Sequence, residues 1–132
     1  MENIDRIVGQ IRKRIRENPR NDNVNLIILS DHGMTNLTNS DAIILSDFIN
    51  LDDILFVSQT GPIAGLFPKP GMMEKVYETL KQFGHPNMTV YKKEEIPERF
   101  HYKNNDRISP IVLMAHEGYL IEKVSRLDLS EC

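Results

Sequence analysis

The stretch of sequence that decides the fold is Val24-Asn25-Leu26-Ile27-Ile28-Leu29-Ser30-Asp31-His32-Gly33-Met34. Its centre, residues 26–29, is a continuous aliphatic run. Such a run is typical of a central parallel strand, because helices cover both faces of that strand. Polar residues follow it directly, and ligands bind beyond the carboxyl ends of the strands in open parallel sheets. The stretch therefore predicts a buried strand that ends in a functional site.

The residues before this stretch predict an amphipathic helix. Five aliphatic residues recur there at helical spacing: Ile4, Ile7, Val8, Ile11 and Ile15. Asn3 is a suitable N-cap, and the helix should end at Asn18 because Pro19 disfavours helical backbone before it. A helix followed by a buried strand is the second half of a right-handed βαβ crossover. The preceding strand is not in this sequence, so we expect a truncated domain.

The sequence after Met34 predicts shorter strands, a second helix and a terminal hairpin. The helix spans residues 72–83 and stops at Gly84, and a helical turn is expected at residues 94–100. The predicted strands comprise residues 53–57, 63–67, 88–92, 111–115 and 119–124, the last two forming a hairpin around His116-Glu117-Gly118. Alternating strand and helix signals predict an α/β fold, a partial parallel sheet flanked by helices with a small strand-rich insert.

Composition excludes several classes of protein. The 132 residues are 40% hydrophobic and 27% charged, which is the balance of a globular domain. A net charge of −3 and a pI of about 5.8 argue against binding to duplex nucleic acid. The basic residues between Arg6 and Arg20 are interpreted as a solvated helix face, with a phosphate-binding patch as the alternative. Cys132 is the single cysteine, which excludes an internal disulfide. We expect no transmembrane segment and no signal peptide in this chain.

The adjacent Asp31 and His32 are candidate metal ligands. Carboxylate oxygen and imidazole nitrogen both bind zinc, at roughly 2.0–2.2 Å, and Gly33 would let the backbone turn sharply after the pair. The alternative is an aspartate that caps the next turn beside a surface histidine, and the tetrapeptide alone leaves both interpretations open. The hydroxyls near the motif and the other histidines are interpreted as turn, glycan, packing or surface residues: Thr35, Thr38, Ser40, His85, His101 and His116.

Residues 29–35, read as Leu-Ser-Asp-His-Gly-Met-Thr, closely resemble a metal-ligand segment of the ectonucleotide pyrophosphatase/phosphodiesterase family, which belongs to the alkaline phosphatase superfamily. The resemblance continues in order to about residue 122. It includes Gly61-Pro62, Val90-Tyr91-Lys92-Lys93-Glu94, Ile96-Pro97-Glu98-Arg99-Phe100-His101-Tyr102, Asn104-Asn105-Asp106-Arg107-Ile108-Ser109-Pro110-Ile111 and Glu117-Gly118-Tyr119. The sequence is thereby identified as similar to this family along nearly its whole length.

The resemblance implies an alkaline-phosphatase-like fold and a two-zinc site that hydrolyses phosphodiesters through a threonine nucleophile. Asp31 and His32 would bind the zinc beside that threonine. The threonine, its neighbouring aspartate and an Asp-x-x-x-His pair precede Met1 in the family pattern. A final zinc histidine, in a His-Gly-Tyr-Asp-Asn or His-Gly-Phe-Asp-Asn motif, is expected after Tyr119 and is absent. Residues 1–132 are thus expected to be a C-terminal-side portion of the catalytic domain, truncated at both ends, without a catalytic residue of its own.

The resemblance also gives expectations about substrate and location. Val90-Tyr91-Lys92-Lys93-Glu94 and His101-Tyr102 favour the branch acting on choline-containing phospholipids, the alkaline sphingomyelinase branch, with nucleotides as the alternative substrate. The full-length protein is expected to be extracellular or at the cell surface, and glycosylation sequons occur at Asn36 and Asn87. Two further alternatives stay open. The chain is a non-catalytic binding or regulatory remnant, or it is a phosphoglycerate-mutase-like or sulfatase-like member of the superfamily.

Overall fold

The computed structural model describes residues 2–18, 20, 23–38 and 42–124 of the chain. They divide into two compact units, Met1–Met34 and Thr35–Cys132. The first unit carries the Asp31-His32 pair, and the second contains the strands.

The first unit begins with the predicted helix, α1 (Glu2–Glu17). Acidic residues occupy its first turn and basic residues its last, which complements the helix dipole. Val8 and Ile15 are half-buried because they face Leu26 and Ile28 across a shallow groove of about 420 Å³. The helix prediction is confirmed, although no side chain of α1 is fully buried.

The predicted buried strand at residues 24–29 is not formed. These residues adopt neither helix nor strand, and Ile27 and Leu29 are 77% and 86% exposed. A strand exists through hydrogen bonds to a neighbouring strand, and no described residue pairs with this segment. An aliphatic run forms a buried strand only when neighbouring strands and helices cover it. The prediction of a buried strand is therefore wrong for this structure.

The second unit contains six strands and one helix among its described residues. They are β1 (Ala42–Ile44), β2 (Ile54–Gln59), β3 (Ile63–Pro68), α2 (Met73–Phe83), β4 (Met88–Lys92), β5 (Ile111–Ala115) and β6 (Leu120–Glu122). Four of the strands form an antiparallel sheet in the order β2-β3-β5-β4. The predictions for β2, β3, α2 and β4 are confirmed to within two residues. The helical turn expected at residues 94–100 consists of two 3-10 turns, Lys93–Glu95 and Glu98–Phe100.

An apolar core holds the second unit together. α2 buries Val76, Tyr77 and Leu80, which join side chains from the sheet such as Leu66 and Leu113. Leu66, Leu80 and Leu113 are at most 2% exposed. Burial of each such side chain contributes roughly 1.5–3 kcal/mol, so this packing stabilises the unit.

The terminal hairpin is also not formed, because β5 and β6 belong to different sheets. β5 pairs with β3 on one side and with β4 on the other, so both of its edges are occupied. β6 instead pairs in parallel with β1, in the register Ile43 to Ile121. Strand β1, which is only three residues long, was not among the predicted strands. The parallel β1–β6 sheet, the antiparallel sheet and the two helices together confirm the α/β class.

Candidate metal-binding segment

Local hydrogen bonds define the backbone around the Asp31-His32 pair. The Ser30 hydroxyl donates to the His32 carbonyl at 2.7 Å, and the His32 backbone N–H donates to Asp31 Oδ1 at 3.0 Å. The Nδ1 atom of the His32 ring lies 2.7 Å from the Gly33 carbonyl oxygen. All of these bonds join residues at most two positions apart, so they follow from the local sequence.

These contacts determine which ring nitrogen of His32 is available to a ligand. A carbonyl oxygen only accepts hydrogen bonds, so Nδ1 must carry the proton that is donated to Gly33. In the neutral imidazole, Nε2 then keeps its lone pair. Histidine ligands of metals have this arrangement, in which the second ring nitrogen donates to a backbone carbonyl or a carboxylate.

The distance between the two candidate donor atoms also fits one metal ion. Asp31 Oδ2 lies 3.4 Å from His32 Nε2. Two ligands of one tetrahedral zinc, each roughly 2.0–2.2 Å from the metal, are roughly 3.3–3.6 Å apart. The same distance suits an ion pair when the imidazole is protonated. The donor set and spacing therefore fit a zinc ion.

The pair is open to solvent, and no third donor joins it among the residues that the structure describes. The Asp31 and His32 side chains are 87% and 70% exposed. Across the described parts of the chain, no three His, Cys, Asp or Glu side chains are grouped so that they would hold a metal ion. The arrangement thus offers two ligands of the four that structural zinc sites use.

The other histidines considered in the sequence lie in the second unit and make local contacts there. The His85 ring lies against Phe48 and Tyr119, and its Nδ1 accepts the Asn87 N–H at 3.1 Å. His116 Nε2 is 3.1 Å from Thr89 Oγ1. His101 is exposed and has left-handed backbone, with φ of 46°. Near the pair, Thr35 and Thr38 are exposed, whereas Ser40 lies outside the described residues.

The two sequons differ in their surroundings. Asn36 is exposed in the segment after the candidate pair. Asn87 is half-buried in the turn before β4, where its backbone carbonyl accepts the His116 N–H at 2.9 Å. Both asparagines stay predicted glycosylation sites.

The shifted pKa values occur in the second unit, where α2 meets β4. Burial, together with the 2.8 Å hydrogen bond that the Tyr77 hydroxyl donates to Glu95, raises the pKa of Tyr77 to about 12. The same bond, and one from the Lys92 backbone N–H, lowers the pKa of Glu95. The hydrogen bond that the Lys92 ammonium donates to Glu74 raises the pKa of Lys92. The same ammonium lies over the Tyr77 ring. This cluster joins a helix to a strand and has a structural role.

The family model described as type I phosphodiesterase / nucleotide pyrophosphatase matches residues 1–131. The chain belongs to this family. The resemblance inferred from residues 29–35 and the downstream motifs is thereby confirmed, and the alternative of a phosphoglycerate-mutase-like or sulfatase-like enzyme is set aside.

Curated members of the family are similar over most of the chain. Mouse ectonucleotide pyrophosphatase/phosphodiesterase family member 7 is 46% identical over 123 residues, which are 89% of this chain and 28% of the relative. Human family member 5 is 42% identical over 118 residues, covering 89% of this chain and 24% of the relative. The human bis(5'-adenosyl)-triphosphatase ENPP4 is 40% identical over 126 residues, which are 92% of this chain and 26% of the relative. The chain thus spans about a quarter of the length of these relatives.

Solved structures of the family share the fold. Human ectonucleotide pyrophosphatase/phosphodiesterase 5 has a TM-score of 0.76 and 40% identity, and the match covers 93% of this chain and 32% of that structure. An inactive variant of the murine protein, in complex with AMP, has a TM-score of 0.77 and 41% identity, and the match covers 94% of this chain and 33% of that structure.

Among the described residues, neither helix combines the length and the apolar character that crossing a bilayer requires.

Proposed function

We propose that the chain is a portion of a metal-dependent phosphodiesterase or pyrophosphatase domain, and that Asp31 and His32 bind one of its zinc ions. The observation that carries this proposal is the 3.4 Å spacing of Asp31 Oδ2 and His32 Nε2, on a segment inside the family match. The bond from His32 Nδ1 to the Gly33 carbonyl supports it, because it presents the lone pair of Nε2.

The chain's own residues would orient and hold the metal. The carboxylate supplies negative charge, and the imidazole supplies a neutral nitrogen whose ring orientation is fixed by Gly33. In the two-zinc, threonine-nucleophile mechanism that the family resemblance implies, bound zinc would activate the nucleophile and stabilise charge on the phosphoryl oxygens. The threonine and the other ligands would come from the part of the catalytic domain that these residues do not span, since the chain covers about a quarter of its relatives.

A zinc titration of the 132-residue chain, followed by NMR of the histidine rings, tests the metal proposal. We expect the His32 resonances to shift and saturate, and Asp31→Asn or His32→Gln to abolish the saturable response. His101→Gln, which removes an exposed histidine in the second unit, is the matched control and should leave the response unchanged. A response that persists in both ligand variants would refute the assignment of Asp31 and His32.

We further propose that the chain alone does not hydrolyse phosphodiesters. Two exposed ligands bind zinc weakly and do not fix its position, whereas catalytic zinc sites use three protein ligands. Bis-nitrophenyl phosphate and a choline phosphodiester with added zinc provide the assay. Zinc binding without turnover is expected, and it would equally suit the alternative of a non-catalytic binding or regulatory remnant. Turnover that disappears in Asp31→Asn would show an active enzyme.

For the complete domain we propose a small-molecule or phospholipid phosphodiester as substrate. The names of relatives support a nucleotide as the substrate, since the human ENPP4 relative is a bis(5'-adenosyl)-triphosphatase and one murine structure is a complex with AMP. Residues 90–94 and 101–102 instead favour choline phospholipids. Titration of the zinc-loaded chain with AMP and with phosphocholine distinguishes the two substrate classes. The ligand that shifts the His32 resonances at the lower concentration indicates the class.

We also propose an extracellular or cell-surface location, with glycans on Asn36 and Asn87. The ectonucleotide names of the relatives support this location, as do the two sequons. Secretion of the chain behind an added leader peptide, with glycosidase treatment of the wild type and of Asn36→Gln and Asn87→Gln, tests it. Each variant should lose one glycosidase-sensitive mobility step, and a wild type without such a step would refute both sites.

A further inference from the structure

Gly33 is the point of greatest backbone freedom in the candidate segment. It has no side chain, and nothing would lie within 4 Å of a Cβ atom placed there, so packing does not restrain it. Glycine also populates more backbone conformations than any other residue. The Gly33 carbonyl is nevertheless the acceptor for His32 Nδ1 at 2.7 Å, so its position decides how the ring is held.

Ser30 restrains the peptide unit that leads into Gly33. Its hydroxyl donates to the His32 carbonyl at 2.7 Å, and that carbonyl belongs to the peptide unit that leads into Gly33. Fixing this peptide plane removes the rotation about the His32 Cα–C bond, one of the backbone rotations that would move the Gly33 carbonyl away from the ring. Ser30 is exposed, so burial of its side chain does not account for its orientation.

We propose that Ser30 is a positioning residue for the candidate metal site, acting through the peptide between His32 and Gly33. Its hydroxyl fixes the plane of the peptide between His32 and Gly33, which favours the position from which the Gly33 carbonyl accepts from Nδ1. That second bond keeps the proton on Nδ1 and leaves Nε2 beside Asp31 Oδ2. The inference rests on the proposed zinc-binding function of the pair. Its first consequence, the tautomer of His32, exists without any metal.

The test uses the 132-residue chain with Ser30→Ala, Ser30→Thr and, as control, Ser46→Ala, which removes an exposed serine hydroxyl from the second unit. Nitrogen-15 spectra of the imidazole, at a pH where it is neutral and without metal, report the tautomer. We expect one dominant tautomer, protonated at Nδ1, in the wild type, in Ser30→Thr and in Ser46→Ala. Ser30→Ala should give a mixture of the two tautomers.

Zinc titration supplies the second measurement. Loss of a partner that orients a ligand lowers metal affinity by roughly 10- to 100-fold, and we expect about tenfold for Ser30→Ala with recovery in Ser30→Thr. If Ser30→Ala leaves the tautomer and the zinc affinity unchanged while His32→Gln loses zinc binding, the role of Ser30 is refuted and the proposed zinc-binding function stands. Zinc binding that survives in both Asp31→Asn and His32→Gln would refute the proposed function, and the metal-free tautomer would still decide the role of Ser30.

Discussion

Gly65 in β3 occupies a position where even a methyl group does not fit. A Cβ atom there would clash with the hydroxyl oxygens of Ser58 and Ser109, and Ser109 is itself buried. Gly65→Ala should therefore lower the free energy of unfolding by about 1–3 kcal/mol, the usual cost of forcing an extra group into a packed interior. Urea unfolding followed by circular dichroism measures this loss.

The same substitution in α1 is the control. Nothing would lie within 4 Å of a Cβ atom on Gly9, and alanine favours helix over glycine by roughly 0.5–1 kcal/mol. Gly9→Ala should raise or preserve stability. A Gly65→Ala protein as stable as the wild type would contradict the close packing between β2, β3 and the segment before β5.

The bond between Tyr77 and Glu95 predicts a pH dependence of stability. Because the pKa of Tyr77 is raised to about 12, its contribution is complete below pH ~10, the value in the unfolded chain, and is lost as the pH rises towards 12. Because the pKa of Glu95 is lowered, its contribution is complete above pH ~4.3 and is lost as the pH falls through the lower folded value.

Tyr77→Phe tests this bond. Losing a hydrogen bond to a carboxylate should cost about 1–2 kcal/mol at neutral pH and flatten both the acidic and the alkaline limbs of the stability profile. Urea unfolding across the pH range provides the measurement. Tyr102→Phe, on an exposed ring, is the control and should keep the wild-type profile. Unchanged limbs in Tyr77→Phe would contradict the proposed linkage.

At the scale of elements, the parallel pairing of β1 with β6 predicts an energetic coupling between Ile43 and Ile121, which a β5–β6 hairpin does not predict. Ile43 and Ile121 are opposite each other and at most 1% exposed. Each change to Ala should cost about 2–5 kcal/mol, and the double-mutant cycle should give a coupling of about 0.5–3 kcal/mol.

Val112 in β5 provides the comparison for this cycle. Val112 is buried but lies outside the core cluster that contains Ile121. The cycle between Val112→Ala and Ile121→Ala should therefore be additive within about 0.5 kcal/mol. Strong coupling of Ile121 to Val112, without coupling to Ile43, would favour the hairpin.

At the scale of the whole molecule, the exposed aliphatic residues 24–29 predict self-association. Backbone that pairs with no described strand, together with large exposed apolar side chains, forms a template for intermolecular strand pairing. Ile27→Lys should therefore raise the soluble, monodisperse fraction several-fold, as measured by size-exclusion chromatography with light scattering. Asn25→Lys adds the same charge to the same segment while keeping Ile27, and it should improve solubility less. A wild-type chain that is already a monodisperse, cooperatively melting monomer would contradict this prediction.

The sequence by itself determined the features that depend on neighbouring residues. The isoleucine spacing predicted α1, the apolar face and Gly84 predicted α2, and the Asp31-His32 turn is made of bonds within a few positions. The family followed from residues 29–35 and the motifs downstream, because these residue types stand in a fixed order.

Only the tertiary structure decided the pairings between distant residues. Whether β6 turns back on β5 depends on whether the edges of β5 are free, and β3 and β4 occupy both. Whether residues 24–29 form a buried strand depends on neighbours that the described residues do not supply. The physical reason is the same in both cases, since a strand is completed by hydrogen bonds to other chain segments, whereas a helix or a tight turn satisfies its own backbone.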